Sequence, residues 1–255
     1  MSMKRVVFLG GKDIGRACLK ILHANSERLG FQIAAVLPSS RGQSVQEFCL
    51  AHAIPMLQNL ESLHTLEPFE ILLSVQYHAI LAPVHIQCAR EIALNLHLAP
   101  LPEYRGCNQF SFAILNGDTE FGVTIHRLER GIDSGAIAFE RRFAIPPSCF
   151  VDELVALANA HAKELFFECL PQIISGQFTL IPQSACASQR KEFHLRSEVE
   201  SLKHVALCGG GGGLIEKVIR ATSMPGFSPP YCIINGRKVY FVREDMLPNR
   251  GGELW

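Results

Sequence analysis

The order of the sequence patterns predicts an α/β protein with a mostly parallel, doubly wound sheet and a small helix-and-hairpin subdomain near the C-terminal end. Apolar, β-branched runs alternate with segments whose apolar residues recur at helical spacing through the first hundred residues. Strands that alternate with helices favour a parallel sheet covered on both faces. Asn235-Gly236 lies between two β-rich runs, which is a strong hairpin signal.

The first half of the sequence predicts three strands that each precede a helix. The run KRVVFL is apolar and β-branched and ends at Gly10-Gly11, after which apolar residues recur every three to four positions. The same alternation predicts strands at residues 4–9, 31–37 and 70–75 and helices at residues 14–22, 44–52 and 83–90. Such sheets bind ligands beyond the carboxyl ends of their strands, so we expect the functional site at that edge.

The second half continues the sheet and then leaves it. The predicted elements are a strand at 93–97, a helix at 109–115, strands at 122–128 and 136–143, a helix at 150–174, a polar connector at 182–196, a helix at 214–221 and a hairpin at 231–242. We therefore predict a main domain over residues 1–181 and a connector with a small subdomain over residues 182–255. The glycine run at 209–213 has no predicted role, and the residues from Leu247 onward are expected to fray.

The composition is that of an ordinary globular protein, with 48% hydrophobic and 19% charged residues. Lys plus Arg equals Asp plus Glu at 24 each, so no net charge attracts a polyanion and no nucleic-acid partner is expected. No apolar run approaches the roughly 20 residues that cross a bilayer, so we expect no membrane association and a cytoplasmic location. The nine cysteines are scattered singly, which predicts neither a disulfide framework nor a zinc site.

Two polar residues, Asn95 and His97, stand at the predicted end of the fourth strand. They are two positions apart, so both side chains lie on the same side of the sheet. An imidazole can exchange a proton near neutral pH, and a carboxamide can donate to a developing oxyanion, so the pair suits acyl transfer. Taken alone, Asn-x-His also fits a hydrogen-bonded strand end.

Three segments in order, NLHLAPLPEYRG, ILNG and GVTIHRLERGIDSG, resemble the formyltransferases that use 10-formyltetrahydrofolate. That family has the pattern Asn-x-His-x-Ser-x-Leu-Pro-x-x-Arg-Gly, followed by Gly-x-Thr-x-His and Asp-x-Gly. The matching positions are Asn95, His97, Leu101, Pro102, Arg105, Gly106, Gly122, Thr124, His126, Asp133 and Gly135. Leu98-Ala99 stands where the family usually has Pro-Ser, which is expected to alter loop contacts without removing a catalytic group. The resemblance implies a Rossmann-like formyltransferase core.

The resemblance also implies roles for the polar residues. Asn95 and a protonated His97 would stabilise the oxyanion that forms when an amine attacks the formyl carbon. Asp133 would hold the imidazole and relay protons, and no metal is needed. His126 would orient Asp133 or serve only in packing.

The resemblance further implies where the two substrates bind. The formyl donor, N10-formyltetrahydrofolate, would lie against residues Tyr77, Ile80, Leu81, Ala82, Gly131 and Ile132. The acceptor would contact Gly11, Lys12, Arg105 and Asn108. Arg105 suits a diphosphate because a guanidinium forms bidentate hydrogen bonds, whereas the glycine turn before Lys12 also fits simple turn geometry.

Members of the family differ in the amine that they formylate. The opening GGKDIG, the segment Cys107-Asn108-Gln109 and a helix and hairpin without a following β-barrel resemble the sugar N-formyltransferases of amino-sugar biosynthesis. We therefore predict a nucleotide-linked amino sugar as the acceptor, and a homodimer is left open. Methionyl-tRNA formyltransferase, glycinamide ribonucleotide formyltransferase, 10-formyltetrahydrofolate hydrolase and a non-catalytic binder of the same fold stay as alternatives. The nucleotide, the sugar and the position of its amine are not predicted.

Overall fold

A computed structural model describes residues 3–188, 190–206 and 212–247. The strands in this part of the chain are β1 Lys4–Gly10, β2 Phe31–Pro38, β3 Phe69–Val75, β4 Ala89–His97, β5 Tyr104–Gly106, β6 Glu120–Arg127, β7 Ile137–Ala144, β8 Glu192–His194, β9 Tyr231–Ile234 and β10 Arg237–Tyr240. The α-helices are α1 Lys12–Leu29, α2 Gln43–Ala51, α3 Pro83–Ile86, α4 Gln109–Asn116, α5 Val151–Ser175, α6 Glu198–Leu202 and α7 Gly212–Thr222. Short 3-10 helices lie at Glu61–Thr65, Gln183–Ala185 and Glu244–Met246.

The central sheet has six strands in the order β2-β1-β3-β4-β6-β7. Strand β1 pairs in parallel with β2 and β3, and β3 pairs in parallel with β4, whereas β4 and β6 are antiparallel. Residues 6–9 of β1 are completely buried, as expected for a strand in a sheet that is covered on both faces. The predicted α/β class with a mostly parallel sheet is therefore confirmed.

The carboxyl ends of the parallel strands form one edge of the sheet. Gly10 lies opposite Val75, and Val75 lies opposite Leu96, so the residues that follow β1, β3 and β4 emerge side by side. A Cβ atom on Gly11 would lie 2.3 Å from the Ser39 hydroxyl oxygen and 2.8 Å from the Gln76 carbonyl oxygen. Only a glycine therefore fits between β1 and α1 at this edge.

The first helix shows why the predicted pattern folds as it does. Its buried residues include Ile14, Cys18 and Leu22, which are spaced four apart and form one apolar stripe against the sheet. The helix continues past the predicted end at residue 22 and stops at Gly30, whose φ of 68° is a common left-handed helix cap.

Two local predictions differ from the structure. The predicted helix at 83–90 ends at Ile86, because β4 already begins at Ala89 and pairs with β3, and these ladder contacts outweigh a weak helical propensity. The connector at 182–196 is not wholly irregular: it contains a 3-10 helix and β8, which forms a two-stranded sheet with β5. Three-residue strands give too little periodicity to be predicted from sequence.

The chain divides into two compact units, each assembled from several segments. The first contains Met1–Arg105, Gly122–Phe143 and Ala158–Glu192, and the second contains Gly106–Phe121, Ala144–Leu157 and Phe193–Trp255. Within the second unit, α4 packs against α7, and β9 and β10 form the predicted hairpin. The predicted division between residues 181 and 182 stays a prediction.

Some sequence-based expectations fall on other parts of the chain. Residues 209–211 of the glycine run, Cys208 and the residues from 248 onward, which were expected to fray, lie outside the described residues. The eight cysteines in the described ranges are free thiols. Within the same ranges, no helix is both long and apolar enough to cross a membrane.

Candidate active site

His97 ends β4 and is almost completely buried, with 5% of the residue exposed. Its Nε2 lies 2.9 Å from the carbonyl oxygen of Tyr104. A carbonyl oxygen can only accept, so Nε2 carries the proton in this bond. Nδ1 then faces the carboxylate of Asp133, with 3.6 Å between Nδ1 and Oδ2.

His126 lies on β6, directly across the ladder from Asn95. Its Nδ1 is 2.9 Å from the carbonyl oxygen of Arg127, so Nδ1 must donate. The Nε2 atom accepts from the Asn95 amide nitrogen at 3.2 Å and lies 3.4 Å from Oδ1 of Asp133. The antiparallel pairing of β4 with β6 thus brings together two residues that are 31 positions apart.

Asp133 belongs to the turn between β6 and β7. Its φ of 48° is in the left-handed region, which is uncommon for a residue with a side chain. Two residues later, a Cβ on Gly135 would lie 1.8 Å from the Arg127 carbonyl oxygen, so the backbone passes very close to β6. This course directs the carboxylate toward the two histidines, and only 13% of the Asp133 side chain remains exposed.

The hydrogen bonds determine where a proton can be held. Each imidazole has one nitrogen committed to donating to a carbonyl, so in the neutral rings the nitrogen facing Asp133 carries a lone pair. A carboxylate is repelled by such lone pairs, and one added proton between the three groups removes the repulsion. Nε2 of His126 already accepts from Asn95, so Nδ1 of His97 is the position that best accommodates this proton.

Thr124 supports the loop that follows His97. Its hydroxyl donates to the carbonyl oxygen of Ala99 at 2.8 Å and accepts from the backbone N–H of Leu101 at 3.2 Å. Thr124 is fully buried and lies opposite His97 in the ladder. The loop fixed in this way leads to the Tyr104 carbonyl that orients the imidazole.

The residues predicted to bind the formyl donor on the loop after β3 have different surroundings. Ile80 is 73% exposed, whereas Leu81 is buried in the core and can reach a ligand only through its backbone. Tyr77 is partly buried, and burial together with the nearby Glu61 charge raises its pKa, so its phenol stays protonated. Ala82 precedes α3 in an extended conformation.

The other two predicted donor-binding residues lie in the turn before Asp133. Gly131 has a φ of 126°, which a residue with a side chain rarely adopts. Ile132 is 39% exposed, so the turn presents an apolar surface next to the Asp133 carboxylate.

Gly11 and Lys12 begin α1 at the carboxyl edge of the sheet. The Lys12 ammonium donates to the Gln76 side-chain oxygen at 2.9 Å, and its backbone N–H donates to the Arg41 carbonyl oxygen at 2.9 Å. An open groove of about 600 Å³ lies at the starts of α1 and α2 and is lined by Lys12, Asp13, Ser40, Arg41, Gln43, Ser44 and Glu47. Arg41 adds a second cation to this groove that the sequence analysis did not select.

Arg105 does not stand alone at the surface. Its Nε donates to the Gln183 side-chain oxygen at 3.0 Å, and its Nη2 donates to the same atom. The Gln183 amide nitrogen donates in turn to the carbonyl oxygens of Asp133 and Gly135, both at 2.8 Å. Gln183 lies in the segment that the sequence analysis treated as a polar connector, and nothing local distinguishes it from the other glutamines.

Asn108, the last of the predicted acceptor-binding residues, precedes α4 with a φ of 60°. Its amide nitrogen donates to the carbonyl oxygens of Leu195 at 2.7 Å and Arg196 at 3.2 Å. The side-chain nitrogen therefore holds a neighbouring loop, and the side-chain oxygen is the atom that can accept from a ligand.

The family model and the curated relatives that this chain matches are formyl transferases. Residues 56–170 match the family described as formyl transferase. A methionyl-tRNA formyltransferase of Synechococcus sp. (strain JA-3-3Ab) is 33% identical over 195 residues, which cover 70% of this chain and 61% of that protein. Its counterpart in Synechococcus sp. (strain JA-2-3B'a(2-13)) is 29% identical over 257 residues, with 89% and 80% covered. The chain spans about three-fifths of the length of most of the curated relatives that it matches.

Solved structures share the fold over almost the whole chain. A 4-N formyltransferase from Francisella tularensis superposes with a TM-score of 0.78 at 18% identity, covering 96% of this chain and 98% of that one. An N-formyltransferase from Helicobacter canadensis, in complex with folinic acid and dTDP-3-aminofucose, has a TM-score of 0.77 at 21% identity, with 93% and 86% covered. At these identities the likeness shows a common fold.

Proposed function

We propose that this chain, whose residues 56–170 match the formyl transferase family, moves the formyl group of N10-formyltetrahydrofolate onto the amino group of a nucleotide-linked sugar. The observation that carries the proposal is the Asp133 carboxylate between His97 and His126, beside Asn95. In the reaction, the bond between N10 and the formyl carbon breaks and a bond from that carbon to the amine nitrogen forms. The amine loses one proton and N10 gains one.

The arrangement favours each part of this transfer. The 3.6 Å between His97 and Asp133 is longer than a hydrogen bond, so a proton on Nδ1 can be donated to the formyl oxygen while the carboxylate charge stabilises the imidazolium. Asn95 donates one amide hydrogen to Nε2 of His126, and its second amide hydrogen can be donated to the formyl oxygen. Asp133 then accepts the amine proton, directly or through water, and passes it to N10 as the bond between N10 and the formyl carbon breaks.

The formyl donor is proposed to bind between the loop after β3 and the turn before Asp133. Exposed Ile80 and Ile132 supply apolar surface for the pterin, and the backbone around Leu81 and Ala82 supplies donors and acceptors for its amide-like edge. The Helicobacter canadensis neighbour was solved with folinic acid, which supports a folate ligand for this fold.

The acceptor is proposed to bind along the same sheet edge. Lys12 and Arg41 supply two cations to the groove, which also carries the carboxylates of Asp13 and Glu47, and the two cations suit the diphosphate of a nucleotide-linked sugar. Gln183 engages only the Nε and Nη2 side of Arg105, so Nη1 is directed elsewhere and can donate to a phosphate oxygen. The Asn108 side-chain oxygen is proposed as a further contact. The neighbour in complex with dTDP-3-aminofucose supports this class of acceptor.

A second candidate acceptor is methionyl-tRNA, because the curated relatives at 28–33% identity carry that activity in their names. The equal numbers of acidic and basic residues do not favour a polyanion of that size. We therefore rank the nucleotide-linked sugar first.

The decisive experiment incubates the protein and N10-formyltetrahydrofolate with a panel of dTDP-, UDP- and GDP-linked amino sugars, methionyl-tRNA and glycinamide ribonucleotide. Mass spectrometry then identifies the acceptor that gains one formyl group. We expect a nucleotide-linked sugar to gain it. Formylation of methionyl-tRNA or glycinamide ribonucleotide instead, with no sugar formylated, would overturn the proposed acceptor.

The roles of the catalytic residues are tested with His97→Ala and Asp133→Ala. Both variants should lose transfer while still binding tetrahydrofolate, because the proposed donor contacts lie on other residues. Calorimetric titration measures the binding and the mass assay measures the turnover. Wild-type turnover in either variant would contradict the mechanism.

We also propose that two copies of the chain associate through the β9–β10 hairpin. Ile233, Ile234, Val239 and Tyr240 are each 44–52% exposed there, which is an unusual density of apolar surface on a small hairpin. Light scattering should give the mass of a dimer, and Ile233→Asp should lower it to that of a monomer. A monomeric wild-type protein would refute this part.

A further inference from the structure

The connector at residues 182–196 contacts three successive residues, 103–105, at the end of the loop after β4 and in β5. The Glu192 N–H donates to the Glu103 carbonyl at 2.8 Å, and the Arg190 guanidinium lies 4.5 Å from the centre of the Tyr104 ring. The third contact joins Gln183 to Arg105. We propose that Gln183 is a positioning residue for formyl transfer, whose carboxamide fixes the turn that carries Asp133.

The contacts of Gln183 permit one orientation of its side chain. Its amide nitrogen has two hydrogens, and they are donated to the carbonyl oxygens of Asp133 and Gly135 at 2.8 Å each. Its oxygen accepts from the Arg105 guanidinium, which can only donate. Exchanging the nitrogen and oxygen would set oxygen against two carbonyls, so the partners determine the orientation. Gln183 is also buried, with 6% exposed, so water does not compete for these bonds.

The turn needs an external support of this kind. Asp133 has a φ of 48°, in a sparsely populated region for a residue with a Cβ atom. One carboxamide holds the carbonyls on both sides of Ser134 and thereby fixes the backbone from which the Asp133 side chain extends. While these bonds persist, the backbone cannot shift in a way that carries the carboxylate away from the two histidines.

The same carboxamide links the two halves of the catalytic pair. Arg105 follows Tyr104 directly, and the Tyr104 carbonyl orients the His97 ring through the 2.9 Å bond to Nε2. Gln183 therefore connects the segment that orients His97 with the turn that carries Asp133, two groups separated by 3.6 Å. This inference rests on the roles proposed above for His97 and Asp133.

The test compares three variants. Gln183→Glu has the same shape and keeps an acceptor for Arg105, but its carboxylate has no hydrogen for the two carbonyls and repels them. Gln183→Leu removes both sets of bonds, and Gln177→Leu, which changes an exposed glutamine, is the matched control. We expect kcat to fall on the order of 100-fold in Gln183→Glu, since a displacement of about 1 Å at a reacting group costs about that much. The KM for the formyl donor should change much less than kcat, because the loop after β3, which supplies most of the proposed donor contacts, does not touch Gln183.

A second readout needs no acceptor. In protein labelled with nitrogen-15, the ring-nitrogen signals of His97 and His126 should move in both Gln183 variants and stay in place in Gln177→Leu. Histidine variants assign the signals, and thermal unfolding checks that each protein is folded. The inference would be overturned if Gln183→Glu left the histidine signals in place and kept the wild-type kcat. It would also be overturned if this variant lowered the unfolding temperature but changed neither the histidine signals nor kcat. Moved signals in a protein that formylates no sugar would reject the proposed acceptor and keep the positioning role.

Discussion

Replacing Thr124 by Val tests how much the loop after His97 depends on one hydroxyl. Valine has nearly the same shape but can neither accept from the Leu101 N–H nor donate to the Ala99 carbonyl, and the site is fully buried. Two buried backbone groups lose their partner at a cost of about 1–3 kcal/mol each, so we expect a loss of about 2–6 kcal/mol. For a chain of this size, each kcal/mol corresponds to roughly 2–4 °C in the unfolding temperature, which gives a fall of about 4–24 °C.

Circular dichroism during thermal and urea unfolding measures this loss. Thr124→Ser keeps the hydroxyl and should lose only the smaller contribution of one methyl group. Thr119→Val makes the same change on an exposed side chain and should stay within about 0.5 kcal/mol of wild type. If Thr124→Val is no less stable than Thr119→Val, the two hydrogen bonds do not hold the loop and our reasoning is refuted.

Two further predictions concern glycine packing and thiol reactivity. Gly135→Ala should destabilise the protein by several kcal/mol on urea unfolding, because the new Cβ would lie 1.8 Å from the Arg127 carbonyl oxygen. The control, Gly213→Ala, has no atom within 4 Å of its new Cβ and should be neutral or stabilising by up to about 1 kcal/mol. Equal stabilities of the two variants would contradict this prediction. Burial raises the pKa of the Cys169 thiol to about 11, so at pH 8 iodoacetamide should modify the partly exposed Cys107 first, as measured by peptide mass spectrometry. Faster labelling of Cys169 would show that its surroundings open in solution.

The strands and long helices could be predicted because their signals are local. The buried run in β1 and the four-residue spacing of apolar residues in α1 are both visible within ten or so positions. The error at residues 83–90 has the opposite cause: Ala89 is in a strand because β3 lies beside it, and that neighbour is not visible in the local sequence. The strands β5 and β8 were missed for the same reason.

The candidate site divides in the same way. Asn95 and His97 share a side of the sheet because they are two residues apart on one strand, and this follows from strand geometry alone. His126 and Asp133 could be associated with them only through the family resemblance. The structure adds the hydrogen-bond partners, which assign a proton to Nε2 of His97 and to Nδ1 of His126.

The sequence by itself determined the alternation of strands and helices, the parallel core and the placement of Asn95 and His97 at a strand end, since these depend on residues close together along the chain. Tertiary structure decided which distant groups meet: Asn95 reaches His126 across 31 positions, and Gln183 reaches the Asp133 backbone across 50. Burial is the physical reason that these contacts are specific. A carboxamide with 6% of its residue exposed must find partners inside the protein, and only the folded chain determines which carbonyls are within its reach.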